Sequence, residues 1–295
     1  MNKKIVIALS ITGLFIAFVG FILFKKPVNS TIVIFSLQEW IRFPSEEKID
    51  RPNSTLKVVT TSFETKEDTE KSLSQIEEMT DDITQKEQDV DLIIFGEAAL
   101  GIYYNEENPE SYQRSIAVSI PGPEINRLSK LSQAKKVALA IGVVENANDT
   151  LYNTLIVFDK NGEIVAKHRK IFLHEFDVLN GITVAKSQID TCSIENFKIG
   201  LAICADANTH FLVDSYKEEN IDLLVYPLAS NIPFIVSLTD YWPYSREYNA
   251  WIVAANRFGA ENGEDYSGHI FIADRNGYIH KQSKGFGYIT TTIQK

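Results

Sequence analysis

Cysteine is almost absent: Cys192 and Cys204 are the only two in 295 residues. That excludes a disulfide-dense scaffold and a metal site built from cysteines alone. Glycine and proline are sparse, at 15 and 9 residues, and 44% of the chain is hydrophobic, so collagen-like, low-complexity and disordered chains are excluded as well. Positive charge is short. Of the 29 Lys and Arg, Lys3, Lys4, Lys25 and Lys26 lie in the first 26 residues, which hold no acid, leaving 25 basic against 39 acidic side chains beyond them. A body with a net charge of -14 repels phosphate backbones and anionic headgroups, which argues against a nucleic-acid partner and against polybasic membrane docking.

One long hydrophobic run is present. Ile5 to Phe24 carries no charge and is interrupted only by Ser10, Thr12, Gly13 and Gly20. At 1.5 Å per residue, about 20 helical residues cover the roughly 30 Å hydrocarbon core, so the run reads as a single-pass membrane helix. A cleaved signal peptide is the rival, with Lys3 and Lys4 as its basic start and Val28-Asn29-Ser30 as a weak cleavage site. The anchor is preferred because the run exceeds the usual apolar region of a signal and is followed at once by Lys25 and Lys26. Residues 1–26 are therefore read as a membrane anchor, 27–55 as a juxtamembrane linker and 56–295 as one domain. Basic residues nearly balance across the run, and the body is expected on the extracytoplasmic side.

From Leu56 onward, strand-like and helix-like patterns alternate, the mark of a layered α/β domain. Leu56–Ser62 and Asp91–Phe95 read as strands separated by an acidic helix with Leu73, Ile76, Met79 and Ile83 on one face, opened by Thr65 and Asp68 as a capping pair. Pro123 opens a second helix before the strand Val137–Val144. Asn161-Gly162 turns a hairpin between Leu151–Phe158 and Glu163–His168. Strands at Phe197–Ile203, Ile221–Tyr226, Trp251–Ala255, His269–Ala273, Tyr278–Lys281 and Tyr288–Ile293, with a helix over Thr209–Glu219, complete the pattern.

Three residues stand where such a domain puts chemistry. Glu97 closes an apolar strand, where an unpaired carboxylate is costly unless it is bonded or used. Lys170 follows the hairpin, and Cys204 ends the strand Phe197–Ile203. Taken singly, each has an ordinary reading as a bonded carboxylate, a member of a basic stretch and a buried core thiol. Together, Glu97, Lys170 and Cys204 resemble the Glu-Lys-Cys set of the nitrilase superfamily of carbon-nitrogen hydrolases. The flanking stretches Leu92-Ile93-Ile94-Phe95-Gly96-Glu97, Lys167-His168-Arg169-Lys170-Ile171-Phe172-Leu173 and Gly200-Leu201-Ala202-Ile203-Cys204-Ala205-Asp206 resemble its motifs. Gly142-Val143-Val144-Glu145, Leu151-Tyr152-Asn153-Thr154 and Ala254-Ala255-Asn256-Arg257 before Gly268-His269 are similar to further segments.

The resemblance implies an α-β-β-α sandwich and cleavage of a small amide or nitrile through a Cys204 thioester. In it Glu97 is the general base, while Lys170 and a backbone N–H after Cys204 stabilise the developing charge; no metal or cofactor takes part. Glu175 or Glu145 is implied as a second, substrate-orienting glutamate, with Asp206, Asn231 and Tyr103 lining the pocket. A homodimer is a further expectation, although the arm that often serves dimerisation in the family is not evident. Two departures are plain: Gly96 replaces the usual proline before the glutamate, and Ala205-Asp206-Ala207-Asn208 lacks the usual aromatic or acidic neighbours of the cysteine. Alternatives are an N-acyltransferase, since Glu97-Ala98-Ala99-Leu100 resembles the apolipoprotein N-acyltransferases, and a catalytically silent binding module. A Cys192–Cys204 disulfide would abolish the nucleophile.

Overall fold

The computed structural model describes residues 54–105, 107–231 and 247–295. The anchor reading of residues 1–26 and most of the linker reading lie outside these residues; among the described residues no helix is long and apolar enough to cross a membrane.

Two sheets face each other. In the first, β1 (Thr55–Phe63), β2 (Leu92–Ile94) and β3 (Ala138–Ala147) run parallel, and β4 (Thr150–Phe158) and β5 (Ile164–Arg169) extend it antiparallel. In the second, β6 (Thr191–Ile194) pairs antiparallel with β7 (Phe197–Leu201), which runs parallel to β8 (Leu223–Pro227) and β9 (Trp251–Glu261). A hairpin strand β10 (Glu264–Ser267) folds back on β9, and β11 (Ile270–Ala273) and β12 (Ile279–Ser283) continue the second sheet. The last strand, β13 (Gly287–Gln294), lies antiparallel on β1. The end of β1 also meets β9, at Ser62 with Asn256 and Phe63 with Arg257, so the two sheets are joined at that seam.

The side-chain period of two explains the near-continuous apolar runs. Leu56, Val58, Leu92, Ile94, Ala138 and Ala140 point between the sheets, where they meet Ile199, Leu201, Leu223, Val225 and Val253. Their neighbours Val59, Phe63, Ile93, Phe95, Leu139 and Ile141 point outward to Leu73, Ile76 and Ile83 of α1 (Thr69–Lys86) and to Ile125, Leu128 and Leu131 of a later helix, Pro123–Lys135. On the other side Leu224, Tyr226, Ile252 and Ala254 meet Leu212, Val213 and Tyr216 of the helix His210–Glu219. The layers are therefore α-β-β-α. Between α1 and that later helix lies α2 (Pro109–Ile116), so Pro123–Lys135 is α3; a short α4 (Glu175–Leu179) precedes α5, the His210–Glu219 helix.

Asp68 alone caps α1, its Oδ1 accepting from the Lys71 N–H at 2.9 Å. Thr65 faces inward instead, donating to Glu261 Oε1 at 2.7 Å. Strand β9 extends well past the expected Ala255, because its polar residues Asn256, Arg257 and Glu261 are buried and bonded to one another and to neighbouring loops.

Candidate active site

Glu97 sits in the loop that follows β2, pinned from three directions. Its own N–H donates to Leu228 O at 3.2 Å, the Ala99 N–H donates to Gly142 O at 2.7 Å, and Gly142 N–H donates to Gly96 O at 3.2 Å. The crossing is so close that a Cβ on Gly142 would lie 2.7 Å from Glu97 Cα and 2.8 Å from Gly96 O; only glycine permits it. A Cβ on Gly96 would itself meet Asn256 C and Leu228 O at 3.3 Å, so that position needs a small residue for close packing. Arg257, only 1% exposed, donates to Glu97 O at 2.9 Å and to Gly101 O at 2.5 Å while paired with Glu261 at 2.8 Å. It clamps the whole glutamate loop.

Cys204 opens a tight turn, Cys204–Asn208, directly beyond β7, and takes φ +47°. Ala98, next to Glu97, also has φ +47°. Left-handed backbone at non-glycine residues costs about 1–3 kcal/mol apiece and persists only where surrounding structure enforces it. Both Cys192 and Cys204 are free thiols, Cys192 buried in the core and Cys204 partly exposed.

Between these loops lies a buried charged cluster. Lys170 Nζ donates to Glu97 Oε1 at 2.7 Å and to Asp177 Oδ2 at 2.6 Å. Asn153, on β4, does the same with a neutral amide: its Nδ2 donates to Glu97 Oε1 at 2.7 Å and to Asp177 Oδ1 at 3.0 Å. Tyr103 OH donates to Asp177 Oδ1 at 3.0 Å and the His174 N–H to its Oδ2 at 2.9 Å. Glu97, Lys170, Asp177, Asn153 and Tyr103 are all at most 4% exposed.

Two carboxylates share one ammonium, so the cluster has a surplus of negative charge. Burial pushes the Glu97 carboxyl above its ordinary value, against the pull of Lys170, and Asp177 adds to the push. Burial opposes the Lys170 ammonium, yet Glu97 and its neighbours hold its pKa well above the usual lysine value. Burial, with Glu97 assisting, pushes the Cys204 thiol up to about 12, against the pull of Lys170 and of a hydrogen bond from the Ala229 backbone. Both raised values disfavour a standing thiolate and make Glu97 a stronger base than an ordinary carboxylate, which suits proton transfer as the sulfur attacks.

The residues read from sequence are placed unequally. Glu97, Lys170 and Tyr103 come together as described, and Cys204 lies near enough to feel the charges of Glu97, Lys170 and Asp177. Glu175 is exposed, because α4 turns it outward and brings Asp177, two residues on, to Lys170 in its place. Glu145 is buried but engaged elsewhere, accepting from Arg169 Nε at 2.7 Å, Lys167 Nζ at 2.9 Å and Thr154 Oγ1 at 2.9 Å. Asp206 is fully buried and spent on structure: it accepts from the N–H groups of Ile171 and Phe172 at 3.0 and 2.7 Å and meets His168 Nε2 at 3.0 Å. Asn231 is exposed and donates to Glu264.

Asp177 and Asn153 were not singled out from sequence. Asp177 had a legible signal: His174 to Asp177 is a capping box in which the carboxylate at the third helical position folds back on the helix start. Asn153 had a weaker one, a polar residue inside the apolar run of β4 that is only 1% exposed.

A family model described as carbon-nitrogen hydrolase matches residues 57–295. The omega-amidase NIT2 of Mus musculus is 33% identical over 137 residues, 44% of this chain and 50% of that protein. The bifunctional nitrilase/nitrile hydratase NIT4B of Lupinus angustifolius is 27% identical over 186 residues, 57% of this chain and 51% of that protein. The matched stretch thus spans about half the length of these relatives. Among solved structures, an amidase from Nesterenkonia sp. AN1, with the acetamide moiety of fluoroacetamide added covalently at its active-site cysteine, superposes with TM-score 0.73 at 14% identity, covering 84% of this chain and 94% of that one. Nit3 of Saccharomyces cerevisiae gives TM-score 0.72 at 19% identity, over 84% and 93% of the two chains. At such identities these likenesses concern the fold.

Proposed function

The chain belongs to the carbon-nitrogen hydrolase family, and from that premise we propose that it hydrolyses a small amide or nitrile through a thioester on Cys204. The observation that carries this reading is the buried Glu97–Lys170 pair, 2.7 Å apart, in which one carboxylate oxygen, Glu97 Oε2, has no hydrogen-bond partner, beside a free thiol on a strained turn.

With an amide, Glu97 takes the proton of the Cys204 thiol as Sγ bonds to the carbonyl carbon and the C=O π pair moves onto oxygen. Lys170 uses one of its three N–H bonds on Glu97 and one on Asp177, and the third faces the developing oxyanion together with backbone N–H groups of the cysteine turn. Collapse of the adduct breaks the C–N bond, and the proton held by Glu97 leaves with the nitrogen as amine or ammonia. Glu97 then takes a proton from water, whose oxygen attacks the thioester; the C–S bond breaks, the carboxylic acid departs and the thiol regains its proton. Asp177 balances the ammonium of Lys170 throughout, and Tyr103 and Asn153 hold Asp177 and Glu97 in register.

Residues 5–24 are proposed to tether this body as a single membrane pass, with the catalytic domain on the extracytoplasmic face; the support is an uncharged run bounded by lysine pairs. Resistance to alkaline extraction and digestion of the body by external protease are the expected results for the two halves of that statement; a body released by alkali refutes the first and a body protected from the protease refutes the second.

An electrophilic amide probe tests the chemistry. Labelling at Cys204 in the full chain that disappears in Cys204→Ala, with acid and ammonia released in equal amounts from a turned-over amide, is the expected result. An unlabelled wild type, or equal labelling of Cys204→Ala, sinks it. Acyl transfer to an added amine in preference to water would convert the reading to a transferase.

A further inference from the structure

Lys170 and Cys204 need a fixed separation, since the ammonium of one and the turn that opens with the other meet the same oxyanion, yet they stand on different sheets. Lys170 follows β5, the last strand of the first sheet, and Cys204 follows β7 of the second; the two strands do not pair. Apolar contact between sheets is non-directional and does not set such a separation by itself. Asp206 crosses the gap. Two residues after Cys204 and 0% exposed, it accepts at Oδ1 from the N–H groups of Ile171 and Phe172, the residues that follow Lys170, at 3.0 and 2.7 Å. Its Oδ2 accepts from the N–H of Ile203, the residue before Cys204, at 3.3 Å and lies 3.0 Å from Nε2 of His168, two residues before Lys170.

His168 is fully buried and is held from its far side by Asp190, whose Oδ2 lies 2.9 Å from Nδ1. Each ring nitrogen thus faces a carboxylate oxygen, and a neutral ring would set a lone pair against one of them. The ring is an imidazolium: burial opposes its charge, but Asp190 and Asp206 together carry the pKa from 6.5 up to about 9. Asp206 therefore has a cation and three backbone N–H groups on its two oxygens. Backbone bonds close the assembly at both ends, the Lys170 N–H donating to Asn153 O at 2.8 Å and the Asp206 N–H to Ile203 O at 2.9 Å. The left-handed φ of +47° at Cys204 lies inside that closed turn, where neighbouring bonds enforce it.

Resting on the cysteine-hydrolase reading above, we infer that Asp206, backed by His168, is a positioning residue for catalysis: it locks the segment that carries Lys170 to the turn that carries Cys204, and so sets where the ammonium meets the oxyanion. Buried and saturated with donors, Asp206 acts through those two residues, and its loss is felt in turnover more than in binding. A misplacement of about 1 Å costs about a hundredfold in rate. Asp206→Ala removes every acceptor of the lock. Asp206→Asn keeps an oxygen for Ile171 and Phe172, and its amide nitrogen can donate to Nε2 of a neutral His168 ring, so much of the lock survives.

The test is propionamide turnover by the full-length protein, expressed per Cys204 titrated with chloroacetamide; where turnover is too slow to follow, the second-order rate of Cys204 labelling gives the same comparison. A residue that only stabilises the fold changes the number of labelled sites and leaves kcat per site alone. Asp206→Ala should lower kcat per labelled site by about a hundredfold with KM moved less than about threefold. Asp206→Asn should bring kcat back to within about tenfold of wild type. An Asp206→Ala enzyme with wild-type kcat per site overturns the inference, as does an Asp206→Asn enzyme no better than Asp206→Ala. Should Asp206→Ala fail to fold, His168→Gln, which removes the cation beside Asp206, should lower kcat per site by about tenfold, and an unchanged kcat there overturns the inference. A labelled wild type whose turnover is indifferent to Asp206 refutes the positioning role and leaves the hydrolase reading standing, whereas an unlabelled wild type refutes both.

Discussion

Replacing Asp177 with asparagine is the sharpest perturbation the site offers, because the side chains match in shape and differ in what they can accept. The two Asp177 oxygens take four donors: Lys170 Nζ at 2.6 Å, His174 N–H at 2.9 Å, and Asn153 Nδ2 and Tyr103 OH at 3.0 Å each. An asparagine has one oxygen, so whichever way its amide sits, an NH2 group faces two of those donors. The substitution also leaves Lys170, buried at 1% exposure, with Glu97 as its remaining carboxylate contact. Breaking a buried pair by removing one partner costs about 3–5 kcal/mol. For a domain of this size, that corresponds to a fall in Tm of about 6–20 °C. Electrostatics moves the activity profile in a defined direction: Asp177 raises the Glu97 pKa, so Asp177→Asn should shift the acid limb of kcat/KM to lower pH while kcat falls. Scanning calorimetry and a pH–rate series with the amide substrate measure both effects. An Asp177→Asn protein with wild-type Tm and an unmoved acid limb would refute the assignment of Asp177 as the counter-charge of Lys170.

Gly142→Ala should lower kcat at least about tenfold at a stability cost of about 1–3 kcal/mol, since its Cβ would meet the Glu97 backbone at 2.7 Å; kinetics and denaturation on one preparation check the split. Glu145→Gln should destabilise the fold, because Arg169 and Lys167 lose their shared carboxylate, while KM stays unchanged; a raised KM would restore Glu145 to the substrate site. His168, fully buried between Asp190 and Asp206, has its pKa carried from 6.5 up to about 9 by those carboxylates despite burial. Because the folded value lies above the unfolded one, the resulting stability, on the order of 3 kcal/mol, is fully present below about pH 6.5 and is lost as pH rises through about 9. Urea titrations across that range should show the loss in wild type and its absence in His168→Gln.

The layered fold was largely legible from one dimension because period-two burial writes itself into sequence. In β1, β2 and β3 both faces are covered, so alternate residues enter different cores and the strand reads as an unbroken apolar run. The helices of the outer layers announce themselves through one apolar stripe, as Leu73, Ile76 and Ile83 do in α1. Short polar elements escaped: α2, α4, β6 and β10 have too few apolar residues to show a period, and tertiary contacts hold them.

What the sequence determined by itself was the presence of Glu97, Lys170 and Cys204 at strand ends, since strand boundaries and apolar runs are local properties. Which carboxylate joins them was decided only in three dimensions. Glu175 and Asp177 are two residues apart and chemically alike, yet the roughly half turn of α4 between them sends the first to solvent and the second to Lys170. Glu145 and Asp206 are buried acids of the same kind, claimed instead by Arg169 and Lys167 and by His168 with two backbone N–H groups. A carboxylate's role depends on the donors that reach it. Here those donors come from segments far apart in the chain, such as Asn153 and Lys170 at Glu97, so the assignment belongs to the tertiary structure.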